Sequence, residues 1–343
     1  MVDARVQARP VQQRAGATFG SSAFDVPALR YPFPSAPRRP DTEALAERTL
    51  AWTREFGLLA EEPGAAAKVR SYAMLAALTY PTATFDHLAI ISDYNSWLFS
   101  SDDVCEDLSL EGASPGQLRA FLSQIYAVTG IPQSHRQRKR SEVDLFNEAL
   151  RDIWARIERA SAPEWRSRFI RHVTNYIDGC VWEAGNRNIE QIPSRAVYQC
   201  MRSYTSTMYE MWDLVELVGD YLLPDAVVEH PIVVELARTA NMVVCLANDI
   251  FSLRKETSNQ DIHNVVITLQ QEEALTLKEA GMRAVELHDA QVLHYCALEK
   301  LLPSFGDQID KHLARYCEGM RFWMRGNYDW STLTPRYKAI RSS

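Results

Sequence analysis

Prolines divide this chain into two regimes. Six of the sixteen, Pro10, Pro27, Pro32, Pro34, Pro37 and Pro40, fall within the first 40 residues. Each fixes φ and removes a backbone donor, so residues 1–40 are expected to form an extended or irregular arm. Phe24, Val26, Leu29, Tyr31 and Phe33 give that arm apolar surface to pack on the body. Residues 1–20 are expected to be loose, which makes the arm partly flexible. Beyond Pro40, glycine is scarce, with 14 in the whole chain, and no alternating β-branched run lies between hairpin turns. Leu45, Ala46, Leu50, Trp52 and Phe56 mark a packed stripe on a helix over 42–56. Later breaks near Pro81, Gly112–Pro115, Gly130–Pro132, Pro163, Pro193, Pro224, Pro231 and Pro303 leave intervals that suit helices of several turns. The expectation is an all-α protein in which residues 41–343 form one large helical domain.

A hydrophobic share of 46% beside 24% charged residues is that of a globular chain rather than a disordered one. No run approaches the ~18 apolar residues that would cross a bilayer. The start, Met1 to Arg5, lacks the apolar core of a secretory signal. The expectation is therefore a cytoplasmic protein without membrane insertion. A net charge of −7 argues against nucleic acid as the main partner, since phosphate neutralisation needs a basic face. The basic stretch His135–Arg140 is short, lacks interleaved aromatics and reads as a solvated loop or helix start. Cys105, Cys180, Cys200, Cys245, Cys296 and Cys317 form no C-x-x-C pair, so buried thiols are expected.

Two segments carry oxygen ligands at helical spacing. In the first, the apolar approach Trp97-Leu98-Phe99 leads into Asp102, Asp103, Glu106 and Asp107. Asp102 shares a helix face with Glu106, and Asp103 with Asp107. Like charges at this spacing repel, so a divalent cation held with substrate phosphates is one means of compensation. A solvated acidic helix end reads the same way. In the second, Asn248, Ser252 and Glu256 recur every fourth residue, drifting only about 40° per step on a helix. The preceding run, Met242 to Ala247, is strongly apolar, so this polar line lies on a packed helix and needs partners. Mutual hydrogen bonding or capping would also provide them.

Together these segments resemble the aspartate-rich motif and the N-D-x-x-S-x-x-x-E motif of class I terpene synthases of the bacterial cyclase type. Lys255 stands before Glu256, as is customary in that family. Arg202 lies 46 positions before Asn248, where the family places a diphosphate-sensing arginine, and Arg336-Tyr337 lies 80 positions after Glu256, where it has an Arg-Tyr pair. The stretches from Trp182 to Arg187 and from Trp323 to Ser331 match as well, so the resemblance covers roughly residues 24–337.

The resemblance implies a single-domain helical bundle around a central apolar cavity. It implies an isoprenyl diphosphate substrate, farnesyl diphosphate favoured, with a sesquiterpene as product and three Mg²⁺ ions to draw off diphosphate. By similarity Asp102 bridges two ions, with Asp103, Glu106 or Asp107 in support, and Asn248, Ser252 and Glu256 chelate the third. Arg202, Lys255 and Arg336 would add positive donors and Tyr337 a hydrogen bond. Thr205 and Ser206 occupy the linker and effector positions after the sensor arginine; the family commonly has glycine at the second. Aromatic faces can hold a carbocation without attacking it. Leu98, Phe99, Trp182, Met208, Trp212 and Trp323 are the candidate lining, though each would equally serve as core. A homodimer is compatible with this family.

Three other readings stay open. Geranylgeranyl diphosphate would make the chain a diterpene synthase. Chain-elongating prenyl transferases share the fold and metal chemistry but carry a second aspartate-rich motif where this chain has Asn248, Ser252 and Glu256. A catalytically inactive helical binding protein would keep all of these motifs without using them.

Overall fold

The computed structural model describes residues 26, 28–59, 64–110, 112–130, 140–259 and 261–337. They form thirteen α-helices and, among the described residues, no strand. The order is α1 (Thr42–Glu55), α2 (Ala65–Thr79), α3 (Phe85–Leu110), α4 (Pro115–Ile125), α5 (Arg140–Ala160), α6 (Pro163–Asn188) and α7 (Arg195–Arg202). There follow α8 (Met208–Gly219), α9 (Asp225–Val228), α10 (Pro231–Ser258), α11 (Val265–Glu272), α12 (Leu277–Glu299) and α13 (Asp307–Leu333).

Helix starts follow the local chemistry. Pro115, Pro163 and Pro231 sit in the first turn of α4, α6 and α10, where a missing N–H costs nothing. Ser114 with Gln117 and Thr276 with Glu279 close reciprocal capping boxes on α4 and α12. Ser194 caps α7 through the Val197 amide.

α10 runs through the molecule, with residues from Thr239 to Ala247 all buried. It packs on α12 and α13; α13 in turn meets α2 and α8, while α3 lies against α1, α2 and α5. The main core is rich in aromatic rings, among them fully buried Trp97, Trp212, Trp330, Tyr94, Tyr126 and Phe169. A smaller apolar cluster of Tyr198, Leu246, Ile250, Val265, Leu269 and Ala284 joins α7, α10, α11 and α12.

The described part of the arm packs closely on the body. Leu29 and Phe33 are buried, and Tyr31 Oη lies 2.8 Å from His288 Nε2. Arg39 bonds the carbonyls of Pro81 and Ala83 at 3.0 and 2.6 Å, tying the arm to the turn before α3. Phe24 and residues 1–20 lie outside the described residues, as do residues 131–139 of the region containing the basic stretch. Four cysteines are buried, but Cys200 is exposed and Cys296 half-buried. The departure at Cys200 has a simple origin. α7 is a short surface helix that turns Tyr198 inward, and two residues later the side chain points out. Among the described residues no helix is long and apolar enough to cross a membrane.

Candidate active site

A cavity of about 250 Å³ opens between α3, α6, α8, α10 and α13. The last turns of α3 form one side of its mouth. Asp102 and Glu106, one turn apart, both line it. Asp103 faces away and is held by Arg336 at 3.1 Å and Lys68 at 3.4 Å. Burial pushes its carboxyl up, but those two cations outweigh the burial and hold it below the ordinary value. Asp107 is exposed and not part of the lining, so of the two alternatives after Cys105 the structure brings Glu106 to the cavity.

α10 forms the opposite side. Asn248, Ser252 and Glu256 all line the cavity, as their spacing requires. Ser252 Oγ donates to Glu256 Oε1 at 2.6 Å, and Asn264 Nδ2 donates to Glu256 Oε2 at 2.7 Å. Burial, with Asp249 and Asp261 nearby, pushes the Glu256 carboxyl up to about 8. A cation at this carboxylate would favour its ionised form.

Basic side chains join the two rims. Lys255 Nζ donates to Glu106 Oε2 at 2.7 Å, spanning from α10 to α3. Arg336, on the short 3-10 turn after α13, reaches Asp103 and lies 3.5 Å from Asp102, with its guanidinium 5.0 Å above the Phe99 ring. The neighbouring Tyr337 Oη accepts from Asn248 Nδ2 at 2.7 Å. Arg202 at the end of α7 donates to Asn248 Oδ1 at 2.9 Å and to Asp249 Oδ1 at 3.1 Å. Asp249 also accepts from Tyr198 Oη at 2.7 Å and the Val265 amide at 3.0 Å, so a buried carboxylate fixes the arginine's position.

Between α7 and α8 the helix is interrupted over residues 203–207. Thr205 and Ser206 lie in the interruption and line the cavity. Ser206 Oγ donates to Asn241 Oδ1 at 2.8 Å, Asn241 Nδ2 donates to the Ser203 carbonyl at 2.8 Å, and Thr207 takes a left-handed φ of 58°. The Ser206 side chain's hydrogen bond to α10 helps hold the break.

Below the rims the wall is apolar. Leu98, Phe99, Tyr176, Met208, Met211 and Trp323 contribute to it, and Phe99 stacks on Tyr72 at 4.5 Å and meets Trp330 at 5.8 Å. Two expected lining residues fall elsewhere. On α6 the inward face carries Cys180, Glu183 and Arg187, so Trp182 turns away and packs on His263 at 5.5 Å. Trp212 is core, its indole donating to the Ala237 carbonyl at 3.2 Å.

Further lining residues went unnoticed in the sequence. Arg187, Asp261 and His263 form a polar wall, with Arg187 3.1 Å from Asp261 and His263 Nδ1 also 3.1 Å from it. Arg187 lay within a matching stretch but stood alone there; Asp261 has no helical period. Asn95 and Asn327 also line the cavity; Asn327 stood within the matching stretch from Trp323 to Ser331 with no role assigned to it, and Asn95 lies just before the first acidic segment.

Among the described residues no three His, Cys, Asp or Glu side chains converge on a ready-made metal cage. The donor set is instead a divided one, with two carboxylates on α3 and an amide, a hydroxyl and a carboxylate on α10. Such hard oxygen donors suit a divalent cation that takes its remaining ligands from phosphate and water.

Known proteins place this architecture. The family model "Terpene synthase family 2, C-terminal metal binding" matches residues 93–293, more than half of the chain. A 10-epi-cubebol synthase of Sorangium cellulosum is 52% identical over 90% of this chain and 97% of its own length. A (+)-T-muurolol synthase of Roseiflexus castenholzii is 32% identical over 92% of this chain and 94% of its own. The crystal structure of germacradien-4-ol synthase from Streptomyces citricolor superposes with a TM-score of 0.76, covering 89% of this chain and 98% of that one. At 24% identity that likeness speaks for the fold alone. Rims, cavity and relatives agree, and the chain belongs to the terpene synthases of family 2, divalent-metal enzymes that act as lyases on prenyl diphosphates.

Proposed function

We propose that this enzyme binds farnesyl diphosphate with Mg²⁺, ionises it, and cyclises the cation to a sesquiterpene with release of diphosphate. The observation that carries the reading is one cavity in which an apolar aromatic wall lies beneath two opposed rims of oxygen donors. The Roseiflexus relative is named for cyclising (2E,6E)-farnesyl diphosphate.

Asp102 and Glu106 on one rim, and Asn248, Ser252 and Glu256 on the other, are the residues that would hold the ions, three in number by family analogy. When bound, Mg²⁺ supplies charge neutralisation for the departing diphosphate. The chain's own side chains do the rest. Arg202, Lys255 and Arg336 surround the mouth and offer N–H donors to phosphate oxygens, and Tyr337 adds a hydroxyl. In the free enzyme these cations are paired with Asp103, Glu106 and Asp249, so diphosphate recognition exchanges some internal ion pairs for substrate contacts. Below the mouth, Phe99, Trp323 and Trp330 line the cavity and exclude water, and an aromatic face turned toward it would favour positive charge.

The test is incubation of purified enzyme with Mg²⁺ and C10, C15 or C20 diphosphates, with diphosphate assay and gas chromatography. C15 turnover to cyclic products, abolished by EDTA and restored by Mg²⁺, is the expected result. Preference for C20 would make the enzyme a diterpene synthase. Absence of metal-dependent diphosphate release with every chain length would leave an inactive binding protein.

A further inference from the structure

A line of aromatic rings runs from the N-terminal arm to the mouth of the cavity. Tyr31 packs on Tyr328 of α13 with 5.1 Å between ring centres, Tyr328 on Phe251 of α10 at 5.9 Å, and Phe251 on Tyr337 at 6.5 Å. Tyr337 also meets the Trp330 ring at 5.7 Å. Tyr31, Tyr328 and Phe251 all lie outside the cavity lining, whereas Trp330 and Tyr337 belong to it.

The outer end of the line is fixed to α12. His288 Nδ1 lies 3.0 Å from Asp289 Oδ1 and so carries the ring proton, which leaves Nε2 to accept from Tyr31 Oη at 2.8 Å. Asp289 Oδ1 also accepts from the Arg30 amide at 3.1 Å, so backbone and side chain of the arm share one anchor. The inner end needs such support. Arg336 and Tyr337 belong to the 3-10 turn Pro335–Tyr337, and a single turn of this kind gives its side chains little hold. Arg336 has its own anchors on α3, through Asp103 and Asp102. Tyr337 instead accepts from Asn248 Nδ2 and is flanked by Phe251 and Trp330, so the direction of its hydroxyl depends on those rings.

We propose that Tyr31 is a positioning residue for the diphosphate site: acting through Tyr328 and Phe251, it keeps Tyr337 against Trp330 with its hydroxyl turned to the mouth. The arm thereby completes a site to which it contributes no ligand. Phe251 is the crossing point, because it stands between Asn248 and Ser252 in sequence and carries the line past the oxygen donors of α10. The inference rests on the cyclase reading given above.

Contact alone is not coupling, and a double-mutant cycle measures the coupling directly. The experiment is calorimetric titration of inorganic diphosphate with Mg²⁺ into the full-length wild type, Tyr31→Leu, Tyr337→Phe and the double variant. Each single variant is expected to weaken binding by about fivefold, the scale of one hydrogen bond. The double variant is expected to stay within about twofold of Tyr337→Phe, because the hydroxyl that Tyr31 positions has already gone. A general loosening of the fold would instead multiply the two losses. Tyr31→Phe keeps the ring and should restore binding to within about twofold of the wild type. Tyr328→Leu breaks the line in its middle while leaving the anchor on α12; it should reproduce Tyr31→Leu and serves where that variant does not fold. The proposal falls if both leucine variants bind diphosphate as tightly as the wild type, or if the double variant shows the product of the single losses. Absence of any metal-dependent diphosphate binding by the wild type would instead overturn the cyclase reading, and this inference with it.

Discussion

At the residue scale, the acidic end of α3 divides four similar side chains into different environments. Asp103 is held by Arg336 and Lys68, Glu106 by Lys255 and by Asn259 Nδ2 at 2.5 Å, while Asp102 keeps a half-exposed carboxylate at the mouth. Of the two carboxylates of the cluster that line the cavity, Asp102 is thus the more open to a cation. Asp102→Asn should lower kcat/KM by roughly 10²-fold or more, the scale of removing one electrostatic stabiliser of the departing charge. Its stability should stay within about 0.5 kcal/mol of the wild type, as for other exposed substitutions. Steady-state diphosphate release and a denaturation curve check both halves, and full turnover would remove Asp102 from the site. Phe99 presents the opposite balance. Its ring stacks on Tyr72, meets Trp330 and lies under Arg336, so it supports the rim as well as the wall. Phe99→Ala should cost about 2–4 kcal/mol through the gap left behind, and should redistribute products as the cavity widens. Gas chromatography of the folded fraction reads the second effect; an unchanged product profile would make Phe99 purely structural.

At the element scale, the break between α7 and α8 depends on a helix outside it. Gly179 on α6 lies against the interruption, where an added Cβ would come within 2.9 Å of Thr205 Cγ2 and 3.2 Å of both the Thr205 nitrogen and the Tyr204 carbonyl carbon. Gly179→Ala therefore sets two effects against each other. Helix propensity favours alanine by about 1 kcal/mol. Overpacking against a backbone that cannot swing aside costs about 1–3 kcal/mol. The crowding should win, with net destabilisation of about 1 kcal/mol and a larger fall in kcat than in substrate affinity as Thr205 and Ser206 shift. Urea unfolding with steady-state kinetics checks this; a more stable variant with full activity would show that the break moves freely. The start of α4, α6 and α10 was legible because proline and serine act locally. The line Asn248–Ser252–Glu256 was legible because one helix carries it. The role of Gly179 was not, since its reason lies 26 residues away, in the break between α7 and α8.

At the scale of the molecule, helical class and two-rim organisation could be read from periodicity and resemblance, but not which side chains meet across the cavity. Nothing along the chain brings Lys255 toward Glu106, or Arg336 toward Asp103; only the packing of the helices does. The same holds for Glu210, an unremarkable letter in Tyr209-Glu210-Met211 that the fold buries to 1% exposure. Its Oε2 accepts a hydrogen bond from Tyr94 Oη and its Oε1 has no partner among the described residues, so it sits in the core with half of its hydrogen-bonding capacity unmet. Burial pushes its carboxyl from 4.5 up to about 8, against the smaller downward effect of the Tyr94 hydroxyl. Between those values the folded protein holds a proton that the unfolded chain has released, and linkage then makes stability fall as pH rises. The contribution is fully present below about 4.5 and is lost by the time pH passes about 8. Its size is on the order of a few kcal/mol, a substantial part of a typical folding free energy. Glu216, also pushed up to about 8 by burial against the pull of Arg168, slopes the same way, so wild-type stability alone cannot assign the effect. The difference from Glu210→Gln can, because the variant keeps an acceptor for Tyr94 and has nothing to titrate. Melting curves of both proteins from pH 5 to 8.5 should show the variant gaining on the wild type throughout that range and overtaking it at the alkaline end. Parallel curves would mean that Glu210 ionises in the core at its ordinary pH, stabilised by a partner reached only through local rearrangement.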